Sequence, residues 1–576
     1  MTYRAPLDDI LFALRIAAGD GALEADGLYA DLADGVAEQT LSEAAKFAEG
    51  SLHPLDRIGD KVGARFADGV VTTAPGWREA YALWREGGWN AIAADPDHGG
   101  LGLPALLNAC CTEIWNGANM AFALCPLLGH GAIDAMEAHA SEALRETYLA
   151  RIVSGEWTAT MNLTEPQAGS DLALLRTRAE RAGDGTYRLF GQKIFITYGE
   201  HDLADNIVHL VLARLPDAPP GTKGISLFLA PKFLPDENGA FTRRNDLRCG
   251  GVEHKLGIHG SPTCTMIYGD NGGAGAYLVG EENKGLACMF TMMNNARLAV
   301  GLQGVALAER STQHALAWAR ERKQGRAPGA VQTSAIVEHP DVARMLMTMA
   351  GMTAASRAIC YETAAAIDRA RREKNPVRAA EAEERASLLT PVAKAFSTDI
   401  ANEATSLGVQ VFGGMGYVEE TGAAQLMRDA RICGIYEGTN GIQAIDLVTR
   451  KLPLSKGAAL AREIGDMRAI ASGGEYAAVG EAVEALAQAS DFITRADPVA
   501  ALAGATPYLR LFALARGATL LVKGANVARK EGEASAERRM ALARFFAENI
   551  AVAAPGLARS VINGAGSVND AIGMLK

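Results

Sequence analysis

One carboxylate stands apart near the end of the main body of the chain. Glu437, in "RICGIYEGTNGIQA", lies between Tyr436 and Gly438 inside a short apolar patch. By residue type alone it is a surface charge, a loop anchor or a group that does chemistry. Other stretches carry residues of similar interest. "MNLTEPQAGSDLALL" gathers Thr164, Gly169 and Ser170, whose hydroxyls and backbone N–H groups suit a flavin ring or a phosphate, and equally suit a polar turn leaving a strand. "GQKIFIT" sets Phe195 two positions before Thr197, so on a strand one ring and one hydroxyl face the same side. "QVFGGMGYVEE", from Gln410 to Glu420, has three glycines in four positions and lets a backbone come close to a ligand. Its neighbours read as helix, whereas a dinucleotide fingerprint needs a preceding strand, so a nicotinamide domain is not expected. Arg297 and Arg322 fall on one helical stretch, roughly 37 Å apart at a rise of 1.5 Å per residue. They cannot serve one small group; two ligands, or one long ligand and a neighbouring subunit, would fit them.

The elements that must position these residues come in blocks. Residues 1–156 read as helical, with an extension to about residue 78, and the texture changes near Trp157. "TYRLFGQKIFIT" alternates and "NIVHLVLARL" and "GISLFLAPKFL" are β-rich, so 157–285 is read as a strand-rich domain. Helices return over 286–452, where Leu298, Leu302, Val305, Ala308, Thr312 and Leu316 mark a buried helical face. Met345, Met349 and Met352 repeat at the same spacing and read as core filling. Residues 453–576 are a further alanine-rich helical region. Segregated blocks rather than alternating βαβ units make this an α+β arrangement.

Composition narrows the function. With 56 Lys plus Arg against 67 Asp plus Glu, the net charge is −11, which opposes nucleic-acid binding. Asp8 and Asp9 precede the first apolar segment, where a secretory signal would carry positive charge, and no membrane span is expected, so the reading is cytoplasmic. The eight cysteines form no C-x-x-C pair, which predicts buried thiols and no metal site. H-E-x-x-H, G-x-S-x-G and Walker P-loop motifs are absent.

Taken in order, "NLTEPQAGSD", "KIFIT", "HKLGIHGSPTC", "MNNARLAVGLQG", "QVFGGMGY" and "LMRDARICGIYEGTNGIQ" resemble the acyl-CoA dehydrogenase family over residues of about 80 to 450. "YRAPLDDILFAL", "DRIGDKVGARFADGVVTTAPGW" and the helices past Arg450 resemble its larger bacterial branch. The resemblance implies an N-terminal helical domain, a middle β-barrel-like domain, a C-terminal four-helix bundle and an extra helical domain. It implies an FAD enzyme that converts an acyl-CoA to the trans-2-enoyl-CoA, acts as a homo-oligomer and passes electrons to an electron-transfer flavoprotein. A short-chain or 3-(methylthio)propanoyl thioester is the implied substrate. In that reading Glu437 matches the base that takes the α proton, a role favoured by desolvation beside Ile435. Met161, Leu163, Thr164 and Thr197 match residues around the isoalloxazine ring, and Phe195 stands where many relatives have tryptophan. Ser170 and Arg297, with Asn294, match the CoA side. Arg322, Gln410 and Gly414 match positions that hold the FAD of an adjacent subunit, and Thr439 matches a contact to FAD in its own.

This sequence departs from the family pattern at Gln425, His259 and the stretch after Arg322, which includes Gln324 and Gly325. Ala296 stands where some members carry the base, which leaves Glu437 for that role. Cys125, Leu127 and Leu128 are candidates for the acyl pocket or for core. An acyl-CoA oxidase, a desulfinase or lyase, and a non-catalytic flavin- or CoA-binding protein on the same fold are the alternatives.

Overall fold

A computed structural model describes residues 3–19, 21–24, 27–473 and 476–576. Two helices of the N-terminal block bear on the site: α1 (His53–Val62) and α2 (Ala105–His139). Asn119 breaks α2, with φ −159° and ψ 90°. Its side-chain oxygen accepts the Phe122 N–H at 3.0 Å, so the polar residue that ends one helical run caps the next.

The next block builds one eight-stranded sheet: β1 (Thr158–Asn162), β2 (Arg178–Arg181), β3 (Tyr187–Thr197), β4 (Ile207–Arg214), β5 (Ile225–Pro231), β6 (Leu247–Val252), β7 (Thr263–Tyr268) and β8 (Ala274–Val279). They pair in the order β6-β7-β3-β8-β5-β4-β1. β2 bonds to both β3 and β4, so β3, β8, β5, β4 and β2 close a ring, which is the barrel-like element. Pairing is antiparallel except for β1 with β4 and the single β2–β4 bridge. β4 and β5 are buried along nearly their whole length, so both faces of the sheet are covered. One face packs Met161, Leu210 and Leu229 against Leu127, Met292 and Ala296 of the helices.

After the strands come α3 (Gly285–Glu321), α4 (Pro340–Arg372) and α5 (Pro376–Phe412), then the shorter α6 (Ala423–Ala430) and α7 (Asn440–Asp446). α2 packs against α3 and α4, so the fourth long helix of the bundle comes from the N-terminal block. Met345, Met349 and Met352 lie in the common helical core. In the last block α8 (Ala458–Ser472) and α9 (Ala505–Lys530) lie against the bundle. By length and composition α9 could cross a membrane, which the reading of uninterrupted apolar runs did not anticipate; most of it is buried against protein. All eight cysteines are buried free thiols.

Candidate active site

The turn carrying Glu437 is held in an unusual conformation. Glu437 has φ +56° and Gly438 φ +82°, two consecutive left-handed residues. For a residue with a Cβ this costs about 1 kcal/mol or more, so surrounding contacts must enforce it. The left-handed φ favours glycine at position 438, and a Cβ there would also crowd the Gln443 amide at 2.7 Å. Thr439 then caps α7, its Oγ1 accepting the Ile442 N–H at 3.2 Å. From α5, the fully buried Lys394 donates to Gly438 O and to Asn440 Oδ1, each at 2.9 Å. Tyr436 on the other side bonds through its hydroxyl to Gln303 of α3.

Glu437 keeps part of its surface open. Burial nevertheless pushes its pKa up to about 7, against the pull of Lys394 and Arg297. Among the described residues its carboxylate makes no ion pair. Ile435, expected to dry the site, is instead 47% exposed. An aliphatic chain that exposed does not exclude water from its neighbour.

Arg297 is buried on α3, 3.4 Å from Asp446 Oδ2, and Asp446 also bonds Arg450 Nε at 2.5 Å. Arg297 and the exposed Asn294 line a cavity of about 260 Å³ together with Leu127, Leu298, Leu302 and Asp446. Cys125 and Leu128 are core residues and do not line that cavity.

A second group sits on the β-domain. Lys193↔Met266 and Ile196↔Cys264 are paired across β3 and β7, so Ile194 and Phe195 together face Thr265, a β-bulge. The bulge explains why Lys193 and Ile196, three apart, are both buried. It leaves Phe195 at φ +61° and 58% exposed, a large ring held out from the strand in a strained conformation. Ile194 N–H turns away from the sheet to Thr164 O at 2.9 Å, which brings the 163–171 loop alongside. A buried pair staples the same loop: Lys193 Nζ lies 2.9 Å from Glu165 and 2.9 Å from Leu163 O. Burial would raise the Glu165 carboxyl, but the Lys193 charge and the bonds from Thr177 bring its pKa down to about 2. Thr164 and Thr197 are thereby half-buried, Leu163 is half-buried, Met161 is in the core beneath, and Ser170 is exposed on the loop. A planar ring needs such an edge, an aromatic face flanked by hydroxyls.

The third group is elsewhere. Arg322 ends α3 and Gln410 and Gly414 lie at the end of α5, all exposed and on a different part of the surface from Glu437. The Trp318 and Phe412 rings stack at 4.8 Å beneath them, and Met415 and Tyr417 are 45% and 90% exposed beside them. The stretch after Arg322 folds back on 334–339, with Gln324 O accepting from His339 Nε2 at 2.8 Å.

Two of the sequence departures have a local cause in α1. Gln425 donates to Asp56 Oδ2 at 3.0 Å, and His259 Nδ1 is 3.1 Å from Asp60 Oδ1. Sequence reading missed Lys394, Gln443 and Asp446. Lys394 left a signal, a lysine between Val392, Ala393, Ala395 and Phe396, all fully or almost fully buried. A cation in the middle of an apolar face has to be bonding something inside.

Comparison with known proteins places this geometry. The family models described as Acyl-CoA dehydrogenase N-terminal, middle and C-terminal domains match residues 37–156, 160–271 and 283–452, and one described as Acetyl-CoA dehydrogenase C-terminal like matches 459–571. A 3-methylmercaptopropionyl-CoA dehydrogenase of Ruegeria pomeroyi is 45% identical over 573 residues, 96% of each chain. A butyryl-CoA dehydrogenase of Syntrophomonas wolfei is 36% identical over 70% of this chain and 68% of its own. The Bacillus anthracis acyl-CoA dehydrogenase complexed with FAD shares the fold at a TM-score of 0.75 and 20% identity, covering 97% of this chain and 94% of that one. The chain belongs to the acyl-CoA dehydrogenase family.

Proposed function

We propose that the protein dehydrogenates a short acyl-CoA, with a 3-(methylthio)propanoyl thioester as the preferred chain, and that Glu437 is the base. The observation that carries the reading is the Glu437 turn: a carboxylate without an ion pair, held in a strained conformation, with a proton affinity near neutrality. An α C–H beside a thioester is weakly acidic, so a base must stand against it and be free to take a proton at working pH. In this reading, which rests on the family resemblance, the Glu437 N–H helps polarise the thioester carbonyl. A bound FAD would supply the acceptor for the hydride leaving the β carbon.

The residues present fit that group. Phe195 offers the ring face, Thr164 and Thr197 the flanking hydroxyls, Met161 and Leu163 the floor and backbone beside them, and Thr439 a contact from the base's own turn. Ser170 and Asn294, both exposed, serve the CoA chain, with Arg297 in the lining of the cavity. Arg322, Gln410 and Gly414 are assigned to the FAD of a neighbouring subunit in a homo-oligomer, a reading supported by the exposed apolar rim of Met415 and Tyr417 beside them. The reoxidising partner is an electron-transfer flavoprotein. The preference for the sulfur-containing chain rests on the full-length likeness to the Ruegeria pomeroyi relative.

A panel of butanoyl-, octanoyl- and 3-(methylthio)propanoyl-CoA tests this, scored by kcat/KM with an artificial electron acceptor and by bleaching of the flavin. The methylthio chain is expected to lead the panel by about tenfold, what a fitted pocket yields per added group. Equal rates for all three, or none with any, would remove the proposed preference or the proposed activity.

A further inference from the structure

We propose that Lys394 is a positioning residue that fixes the Glu437–Gly438 turn and keeps the base ionised at working pH. The inference rests on Glu437 being that base.

The geometry is specific. Lys394 has no exposed surface, and its ammonium donates to Gly438 O and Asn440 Oδ1, acceptors on the residues that follow Glu437. Asn440 is itself gripped by α5, donating to Asp399 Oδ1 at 2.6 Å, Thr398 Oγ1 at 2.9 Å and Ala395 O at 3.2 Å. One helix therefore holds Gly438 and Asn440, two of the three residues that follow the strained glutamate. That is the restraint two consecutive left-handed residues require.

Charge compensation separates Lys394 from its neighbour. The groups facing Glu437 are Arg297 and its partner Asp446 across α3 and α7, with Arg450 behind them; Lys394 and Asp399 on α5; and Cys433 and Tyr436 in its own segment. Arg297 is already paired with Asp446. Among the described residues no carboxylate lies within ion-pair distance of Lys394. Its charge, held among carbonyl and amide oxygens, acts on Glu437 without a carboxylate partner of its own and outweighs the smaller pull of the paired Arg297. A cation there favours the carboxylate over the acid.

Three holoenzyme variants separate place from charge, read as the rate of flavin bleaching by saturating acyl-CoA across the neutral and alkaline range. Lys394→Gln keeps a donor and drops the charge, and the midpoint of its pH profile is expected to move to higher pH by about one unit. Lys394→Met drops both, and its high-pH plateau is expected to fall by a further tenfold or so as the turn loosens. Lys394→Arg keeps the charge and restores the midpoint. If Lys394→Met does not retain FAD, the Gln and Arg variants decide between them. Wild-type midpoints and plateaus in the Gln and Arg variants would overturn the proposal. Glu437→Gln in the same assay keeps the two readings apart: if it bleaches normally the base assignment fails, whereas a dead Glu437→Gln beside an unaltered Lys394→Gln removes only the role of Lys394.

Discussion

Two clusters of buried charge lie along α5, nine residues or roughly 14 Å apart, and they treat a carboxylate in opposite ways. At the C-terminal helices, Glu362 meets Arg385 at 2.9 Å, Lys523 at 3.4 Å and Arg516 at 3.8 Å. Arg516 and Arg385 also share Glu463, at 2.9 and 3.0 Å, and Arg516 reaches Asp466 at 2.6 Å. Burial would raise Glu362, but Arg385, Arg516 and Lys523 together hold it down to about 2. Around Glu437 the same desolvation wins, and the carboxyl rises to about 7. The difference is the number of cations in contact. A carboxylate surrounded by paired cations is fixed as an anion and serves as a fastener; one left without an ion pair can gain and lose a proton.

Removing the carboxylates' partners or the carboxylate itself tests that contrast, and the largest effect belongs to the base. Glu437→Gln is expected to slow flavin bleaching by about a thousandfold or more while FAD remains bound, because no other group stands ready to take the proton. Bleaching within tenfold of wild type would break the comparison at its functional end. At the fastener end, Arg516→Met leaves Glu463 and Glu362 short of a cation in a dry setting, which is expected to cost about 3–5 kcal/mol. Thermal unfolding should then begin at lower temperature, with cleavage in 453–576 by a low dose of protease. The pH midpoint of bleaching should stay where it was. A shifted midpoint would mean that the two clusters are coupled through α5.

The fold was largely legible because its signals are local. Alternation in "TYRLFGQKIFIT" marks a strand, and the 3-to-4 spacing from Leu298 to Leu316 marks a helix. The bulge at Phe195 was not legible, since nothing in "KIFIT" says that two residues share one partner; the pairing that creates it comes from β7, seventy residues on. The ion pair of Arg297 was hidden for a similar reason. Its partner Asp446 is 149 positions away, so the sequence showed a lone cation where the fold makes a pair. Lys394 could have been found from its apolar surroundings, but its acceptors could not, because one is a backbone carbonyl in a turn that Gly438 favours.

A change of pH tests both clusters at once, with a smaller effect. Glu437 must be ionised to act, so bleaching is expected to fall about tenfold per unit below pH 7 and to level off above it. Glu362 has the opposite shift. The stability it contributes is present above its ordinary value near 4.5 and is lost only as the pH falls through about 2. At pH 5 the enzyme is thus expected to bleach about a hundredfold more slowly while its helices unfold at nearly the same temperature. Parallel loss of both would show that inactivation at pH 5 is unfolding and not titration of the base.

The smallest effect is one of stability at the active site itself. Because the folded protein raises the Glu437 pKa, it favours the protonated acid. The stability from that preference is complete below about pH 4.5 and gone once the pH passes about 7. A neutral amide avoids the cost of ionising in place. Glu437→Gln is therefore expected to be more stable than wild type at pH 8 by about 1 kcal/mol, the partly open carboxylate keeping the gain small, and equal to it at pH 4.5. Denaturant unfolding at the two pH values measures the difference. The equivalent change in the other cluster, Glu362→Gln, should go the other way at pH 8, because there the amide gives up ion pairs. Two glutamates replaced by the same amide would then move stability in opposite directions.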